Sequence, residues 1–200
     1  KKKFLASVFL RALGFGADEE IIRLFYDVYK IIPEDGRLYW ELGDHLAGKS
    51  VDDDVCAAHS KKVIAPARTK LTPETIQELR DKGINRIPLV KKELQGAFSL
   101  SSIKGKVKAN EEMGDVQLDL LIGRGEPFEV FFPEADKTGM IISNTLKKDT
   151  RKDTSQALAE IYRKLRPGEP HTMESAHNLF HNLFFNSQKY NFSRIGRLKF

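Results

Sequence analysis

A lone cysteine, Cys56, is all the thiol that this chain of 200 residues carries. It excludes an internal disulfide and any metal site built from several thiolates. No stretch approaches the roughly 18 consecutive apolar residues that a membrane-spanning helix requires. Methionine and tryptophan are scarce, at three and one. Internal repeats and low-complexity tracts are absent. The start, Lys1-Lys2-Lys3-Phe4, has no initiating Met and none of the apolar core or small-residue cleavage site of a secretory leader. The chain opens in mid-pattern and closes in mid-pattern at Leu198-Lys199-Phe200, so an internal piece of a longer protein is expected. A reducing, cytoplasmic setting is expected with it.

What remains is an ordinary globular composition, 40% hydrophobic and 30% charged, enough for one or two modest domains with a real core. The net charge of +5 is unevenly spread. Residues 1–28 hold five Lys/Arg against four Asp/Glu, and residues 151–200 hold nine against four. Residues 29–150 hold 19 basic against 20 acidic, so the excess belongs to the two ends. Two explanations stand: a surface that faces a polyanion, or uneven solvated charge.

Helical signals open the chain. Phe4 to Leu13 is apolar round most of its circumference, and Gly14 stops it. Asp18 can cap a second helix, with Glu19 and Glu20 in its first turn and Ile21, Ile22, Leu24, Phe25 and Val28 in helical period. From Tyr29 the texture changes. Tyr29–Pro33 and Arg37–Leu42 read as strands around the turn Glu34-Asp35-Gly36. Lys62–Ala65, Ile84–Val90, Val116–Ile122 and Phe128–Phe132 are further strand candidates. Between them lies one helix, capped by Thr72, with Pro73 in its first turn and Gly83 at its end. Helices return after Thr150. Asp153 or Thr154 caps one that Pro167-Gly168 ends, and Thr172 caps the last, with Ala176, Leu179, Phe180, Leu183 and Phe184 as its stripe.

The fold class expected is α+β. Both chain ends, 1–28 and 151–200, would form one helical portion, and 29–150 would be an inserted β-rich α+β domain. Phe4, Leu5, Phe25, Ile161, Leu165, Phe180 and Phe184 are expected to share a core, because neither terminal segment can bury its own stripe.

Few residues offer chemistry. Asp52-Asp53-Asp54 are consecutive, so their side chains diverge and read as a solvated loop rather than a cation site. His177 and His181 have the i, i+4 spacing that can hold zinc, but Asn178-Leu179-Phe180 between them lacks a glutamate base, and an exposed pair is the default. Cys56 has no paired base beyond His59, and Gly123-Arg124-Gly125 lacks the Lys-Ser/Thr of a phosphate loop. The basic residues remain. Arg163, Lys164 and Arg166 crowd the end of one helix, where the macrodipole alone would favour them, and Arg194 and Arg197 flank Gly196.

The run Ala159-Glu160-Ile161-Tyr162-Arg163-Lys164-Leu165-Arg166-Pro167-Gly168-Glu169-Pro170 supplies a more specific signal. With Asn182-Leu183-Phe184-Phe185, Tyr190, Ser193 and Ile195-Gly196-Arg197, it resembles the beta subunit of bacterial RNA polymerase. Phe9-Leu10-Arg11-Ala12-Leu13-Gly14 and the following Glu19-Glu20-Ile21 match the same subunit upstream, in the same order. The middle matches more loosely, through Leu46-Ala47-Gly48-Lys49 and the Thr72 helix. The resemblance implies that the ends are parts of the lobe, a jaw of the DNA cleft, and that 29–150 is the external insert domain. It implies DNA as a partner, together with the beta prime, alpha and sigma subunits, and regulators on the insert. Arg163, Arg166, Arg194, Arg197, Arg11 and Lys3 are then the candidate nucleic-acid contacts. No catalytic residue and no cofactor is expected in this segment, since the family holds its magnesium elsewhere. Two other readings remain open: an interaction module whose insert docks transcription factors, and a metal-dependent hydrolase built on His177 and His181.

Overall fold

The computed structural model describes residues 3–51, 53–56, 63–103, 107–133 and 139–189. The chain divides into two compact units, one running up to Leu24 and resuming at Ile141, the other spanning Phe25–Met140. These divisions fall at 24/25 and 140/141, whereas the change of sequence texture falls at 28/29 and 150/151.

The helical unit begins with α1 (Ala6–Ala12) and α2 (Asp18–Phe25, its last residue already in the other unit). The second unit follows, with β1 (Val28–Glu34), β2 (Arg37–Glu41), β3 (Val55–Cys56), β4 (Val63–Ala65), α3 (Pro73–Asp81), β5 (Arg86–Leu89), β6 (Phe98–Ser99), α4 (Asp115–Ile122) and β7 (Phe128–Phe131). The chain then returns to helices: α5 (Ile141–Lys148), α6 (Thr154–Leu165) and α7 (Met173–Phe184). The class is therefore α+β.

In the helical unit α1 lies against α5 and α6, and α6 lies against α7. Local chemistry sets their limits. The Asp153 side chain accepts from the Gln156 N–H at 2.8 Å to start α6. At α7 the Thr172 hydroxyl accepts from the Ser175 N–H at 3.1 Å, and the Ser175 hydroxyl accepts from the Thr172 N–H at 2.9 Å. Val8, Ala12, Ala157, Leu158, Ile161, Tyr162, Ala176 and Phe180 make the core, with Phe4, Leu5 and Leu165 packed at its margin. Of the expected core residues, Phe184 is 45% exposed and lies on the rim, where its ring meets that of Phe9 edge-on at 5.0 Å. Phe25 joins the other unit. Helix α5 was not anticipated: only Ser143 and Leu146 of it are buried, too few to leave a hydrophobic stripe in the sequence.

The second unit is built on a five-stranded antiparallel sheet of order β5-β2-β1-β7-β6. Asp35 and Gly36, both at positive φ (49° and 73°), make the two-residue turn between β1 and β2. The core runs from Ile31, Leu38 and Trp40 on the sheet to Ile76 and Leu79 on α3 and to Leu118 and Leu121 on α4. The expected strand Val116–Ile122 is instead α4. Its Val116-Leu118-Leu120 alternation imitates a strand, yet burial selects Leu118 and Leu121, three apart, and leaves Val116 73% exposed. No helix among the described residues is long and apolar enough to cross a membrane.

Candidate nucleic-acid interface

Basic side chains gather at both ends of α6. Arg163 and Lys164 occupy its last turn, and Arg166 is its C-terminal cap residue. Their position suits the carbonyl end of the helix, where cations are favoured. Arg163 is exposed, and its Nε donates to the Ala159 carbonyl at 3.3 Å, using one of five N–H donors. Lys164 bridges to Glu160 at 3.0 Å and donates to the Lys3 carbonyl at 2.6 Å, which ties the exposed Lys3 to this helix through its backbone. Arg166 pairs with Glu169 across 3.2 Å, and that hydrogen bond and charge raise its pKa further above the ordinary value. An exposed pair of this kind is weak, and the Tyr162 hydroxyl also donates to Glu169, at 3.2 Å.

Arg151 and Lys152 lie just before α6, residues that sequence reasoning passed over because no motif marks them. Arg151 pairs with Glu160, and Lys152 approaches Asp18 at 3.8 Å. Thr150, Arg151, Ser155, Gln156, Arg163 and Met173 line one shallow recess on this surface.

Arg11 does not belong to it. Expected to face nucleic acid, it is wholly buried, because three acceptors inside the helical unit claim its guanidinium. Nε donates to Asp149 at 3.3 Å, and the terminal nitrogens donate to the Gly16 carbonyl and the Asp18 carboxylate. Asp149, also buried, accepts from the Ser7 hydroxyl at 2.6 Å and the Arg151 N–H at 3.0 Å. Burial pushes the Asp149 carboxyl up, but the bonds from Ser7, the Arg151 backbone and Arg11, with the Arg11 charge, hold it below the usual carboxylate value. Arg194 and Arg197 lie outside the described residues.

The other sequence candidates fall into structural places. His177 and His181 are exposed and stack with ring centroids 6.2 Å apart and planes at 17°. Among the described residues no group of three His, Cys, Asp or Glu is gathered to hold a metal ion. Asp54 accepts from the Ala67 N–H at 2.6 Å as a loop brace, and Asp52 and His59 lie outside the described residues. Cys56 is exposed. Gly123-Arg124-Gly125 is the turn that ends α4.

This two-unit α+β chain, with cations at exposed helix ends, matches no protein-family model. Over its whole length it is 38% identical, across 207 residues, to the DNA-directed RNA polymerase subunit beta of Solibacter usitatus (strain Ellin6076). It is 41% identical across 214 residues to that of Koribacter versatilis (strain Ellin345), and 33% across 208 residues to that of Sorangium cellulosum (strain So ce56). The chain spans only 14–15% of the length of these relatives. It is homologous to one segment of the bacterial RNA polymerase beta subunit.

Proposed function

We propose that the chain serves DNA-templated transcription as a non-catalytic segment of a polymerase beta subunit, with its helical unit forming part of the wall of a DNA cleft. The similarity of the whole chain to beta subunits, at 38% and 41% identity to two of them, carries this reading. The helical unit corresponds to the lobe and Phe25–Met140 to the external insert domain. DNA and the other polymerase subunits are the partners, the setting is cytoplasmic, and magnesium is bound elsewhere in the complete enzyme.

Arg163 and Arg166 are the phosphate-facing residues, joined by Arg194, Arg197 and Lys3. Arg163 is exposed with most of its donors left over from the Ala159 bond, and Arg166 holds Glu169 only through an exposed pair. Such contacts position a duplex without reading its sequence. A few of them give weak affinity, in the range of about 10⁻⁴ to 10⁻⁶ M typical of non-specific binding at physiological salt.

The test is a salt titration of duplex binding, read by fluorescence anisotropy, on three proteins: the wild type, Arg163→Gln/Arg166→Gln, and Lys91→Gln/Lys92→Gln. Each phosphate partner removed should reduce the slope of log affinity against log salt by about 0.9. The arginine variant should therefore drop roughly one to two units of slope and the lysine variant none. Equal slopes in all three would remove the arginines from the interface.

A further inference from the structure

The sheet of the second unit carries a box of three aromatic rings that serves none of the functions above. Side chains alternate between the two faces of a strand, so Tyr29 and Ile31 on β1 point the same way. Trp40 on β2 lies opposite Ile31, and Val130 on β7 lies opposite Tyr29. Phe132, two residues beyond Val130, continues that row. The register therefore brings Tyr29, Trp40 and Phe132 together on one face. Their ring centroids are 5.5, 5.6 and 6.4 Å apart and their planes meet at 63°, 73° and 55°, so they form three inclined walls rather than a stack.

The Lys49 ammonium sits among these walls, 4.2 Å from the centroid of Tyr29, 4.5 Å from Phe132 and 5.1 Å from Trp40. Aromatic faces attract a cation at such range, and several inclined faces around one point are how proteins recognise methylated ammonium groups. The surroundings also suit a cation. Asp27, Glu41 and Asp44 all lie close enough to act on the neighbouring His45, whose ring meets Tyr29 edge-on at 5.3 Å.

The walls are fixed by partners other than Lys49. The Trp40 indole N–H donates to Glu93 at 3.0 Å, and Tyr29 is braced by His45. The backbone that delivers the lysine is fixed separately. The Gly48 N–H donates to the Leu71 carbonyl and the Leu71 N–H to the Lys49 carbonyl, both at 2.8 Å. Shortening the Lys49 side chain should thus empty the box without releasing the chain that carries it.

We propose that Tyr29, Trp40 and Phe132 form an ammonium-binding box, filled in cis by Lys49, and that removing the Lys49 side chain opens it to a quaternary ammonium ion. The site is independent of the DNA-facing reading, since none of its residues belongs to the helical unit.

Trp40 is the sole tryptophan, so its emission reports on the box directly. Tetramethylammonium chloride would be titrated into the wild type and Lys49→Ala at constant ionic strength, with sodium chloride as the balancing salt. Lys49→Ala should give a saturable change in Trp40 emission, and the wild type should need at least about tenfold more ligand for the same change. An uncharged alcohol that carries a tert-butyl group, 3,3-dimethylbutanol, should not reproduce it. A linear response in Lys49→Ala, equal responses in the two proteins, or an equal response to the alcohol would overturn the proposal. A second measurement needs no variant: in the proton spectrum of the wild type, the Lys49 ε-methylene should lie upfield of every other lysine. An unshifted Lys49 signal would show an unfilled box and sink the proposal, even if Lys49→Ala did not fold.

Discussion

Replacing Arg11 by methionine preserves much of the side-chain length and removes the charge from the most enclosed polar cluster of the helical unit. The substitution leaves Asp149 buried with its Ser7 and Arg151 N–H donors and the more distant Arg151 guanidinium, 3.7 Å away, as cation, and it leaves the Gly16 carbonyl without that donor. Asp18 suffers less, because it is 20% exposed and Lys152 is within 3.8 Å. Removing one member of a buried pair costs about 3–5 kcal/mol. A domain is stable by only about 5–15 kcal/mol, so Arg11→Met should remove a large share of the stability of the helical unit. The assay is urea denaturation followed by far-ultraviolet ellipticity, extended to a double-mutant cycle with Asp149→Leu and Arg11→Met/Asp149→Leu. Apolar replacement of both partners removes the stranded charge as well as the pair, so the double variant should lose less than the sum of the singles by at least about 1 kcal/mol. A loss under about 1 kcal/mol for Arg11→Met, or strict additivity in the cycle, would show that the cluster does not brace the helical unit.

Two further groups link stability to pH. Because the Asp149 carboxyl titrates below its ordinary value in the folded chain, its contribution is complete above roughly pH 4 and is lost as the pH falls through the depressed native value; Asp149→Asn should flatten that acid limb in urea melts at stepped pH, and an unchanged limb would contradict it. Burial lowers the His45 pKa in the fold against the pull of Asp27, Glu41 and Asp44, so this residue makes stability rise with pH through the ordinary histidine range. A Cβ placed on Gly43 would clash with His45 Cε1, so Gly43→Ala should displace the ring and return its NMR-titrated pKa toward about 6.5, whereas an unaltered titration would place the ring elsewhere.

Much of the fold was legible because its signals are local. Thr72, Asp153 and Thr172 each accept a hydrogen bond from an N–H three residues on, a relation written within one helical turn. The Asp35-Gly36 turn needs positive φ at both positions, which Asp-Gly tolerates, and so it set the hairpin register. Helix α4 misled because eight residues hold two periods at once, and only packing decides that Leu121 rather than Leu120 goes inward. The candidate interface divided in the same way. Arg163 and Arg166 stand exposed at the end of α6, a clustering that four neighbouring positions already spell out. Arg11 was misplaced because its partner Asp149 lies 138 residues away, and nothing near Arg11 announces a buried carboxylate. The ring box was hidden for the same reason: three strands in register create it, and each ring alone reads as core.

The sheet order has a consequence for how such a chain can change over evolutionary time. Val28, at the start of the second unit, is the pairing partner of Phe131 near its end, and the Tyr26 hydroxyl donates to the Gly139 carbonyl at 2.8 Å. Entry and exit of this unit are thus neighbours, with paired antiparallel residues only about 5 Å apart at Cα. The β1–β7 pairing and the Tyr26–Gly139 bond hold the two ends of this segment together, so a change of length between them need not alter where the chain enters and leaves.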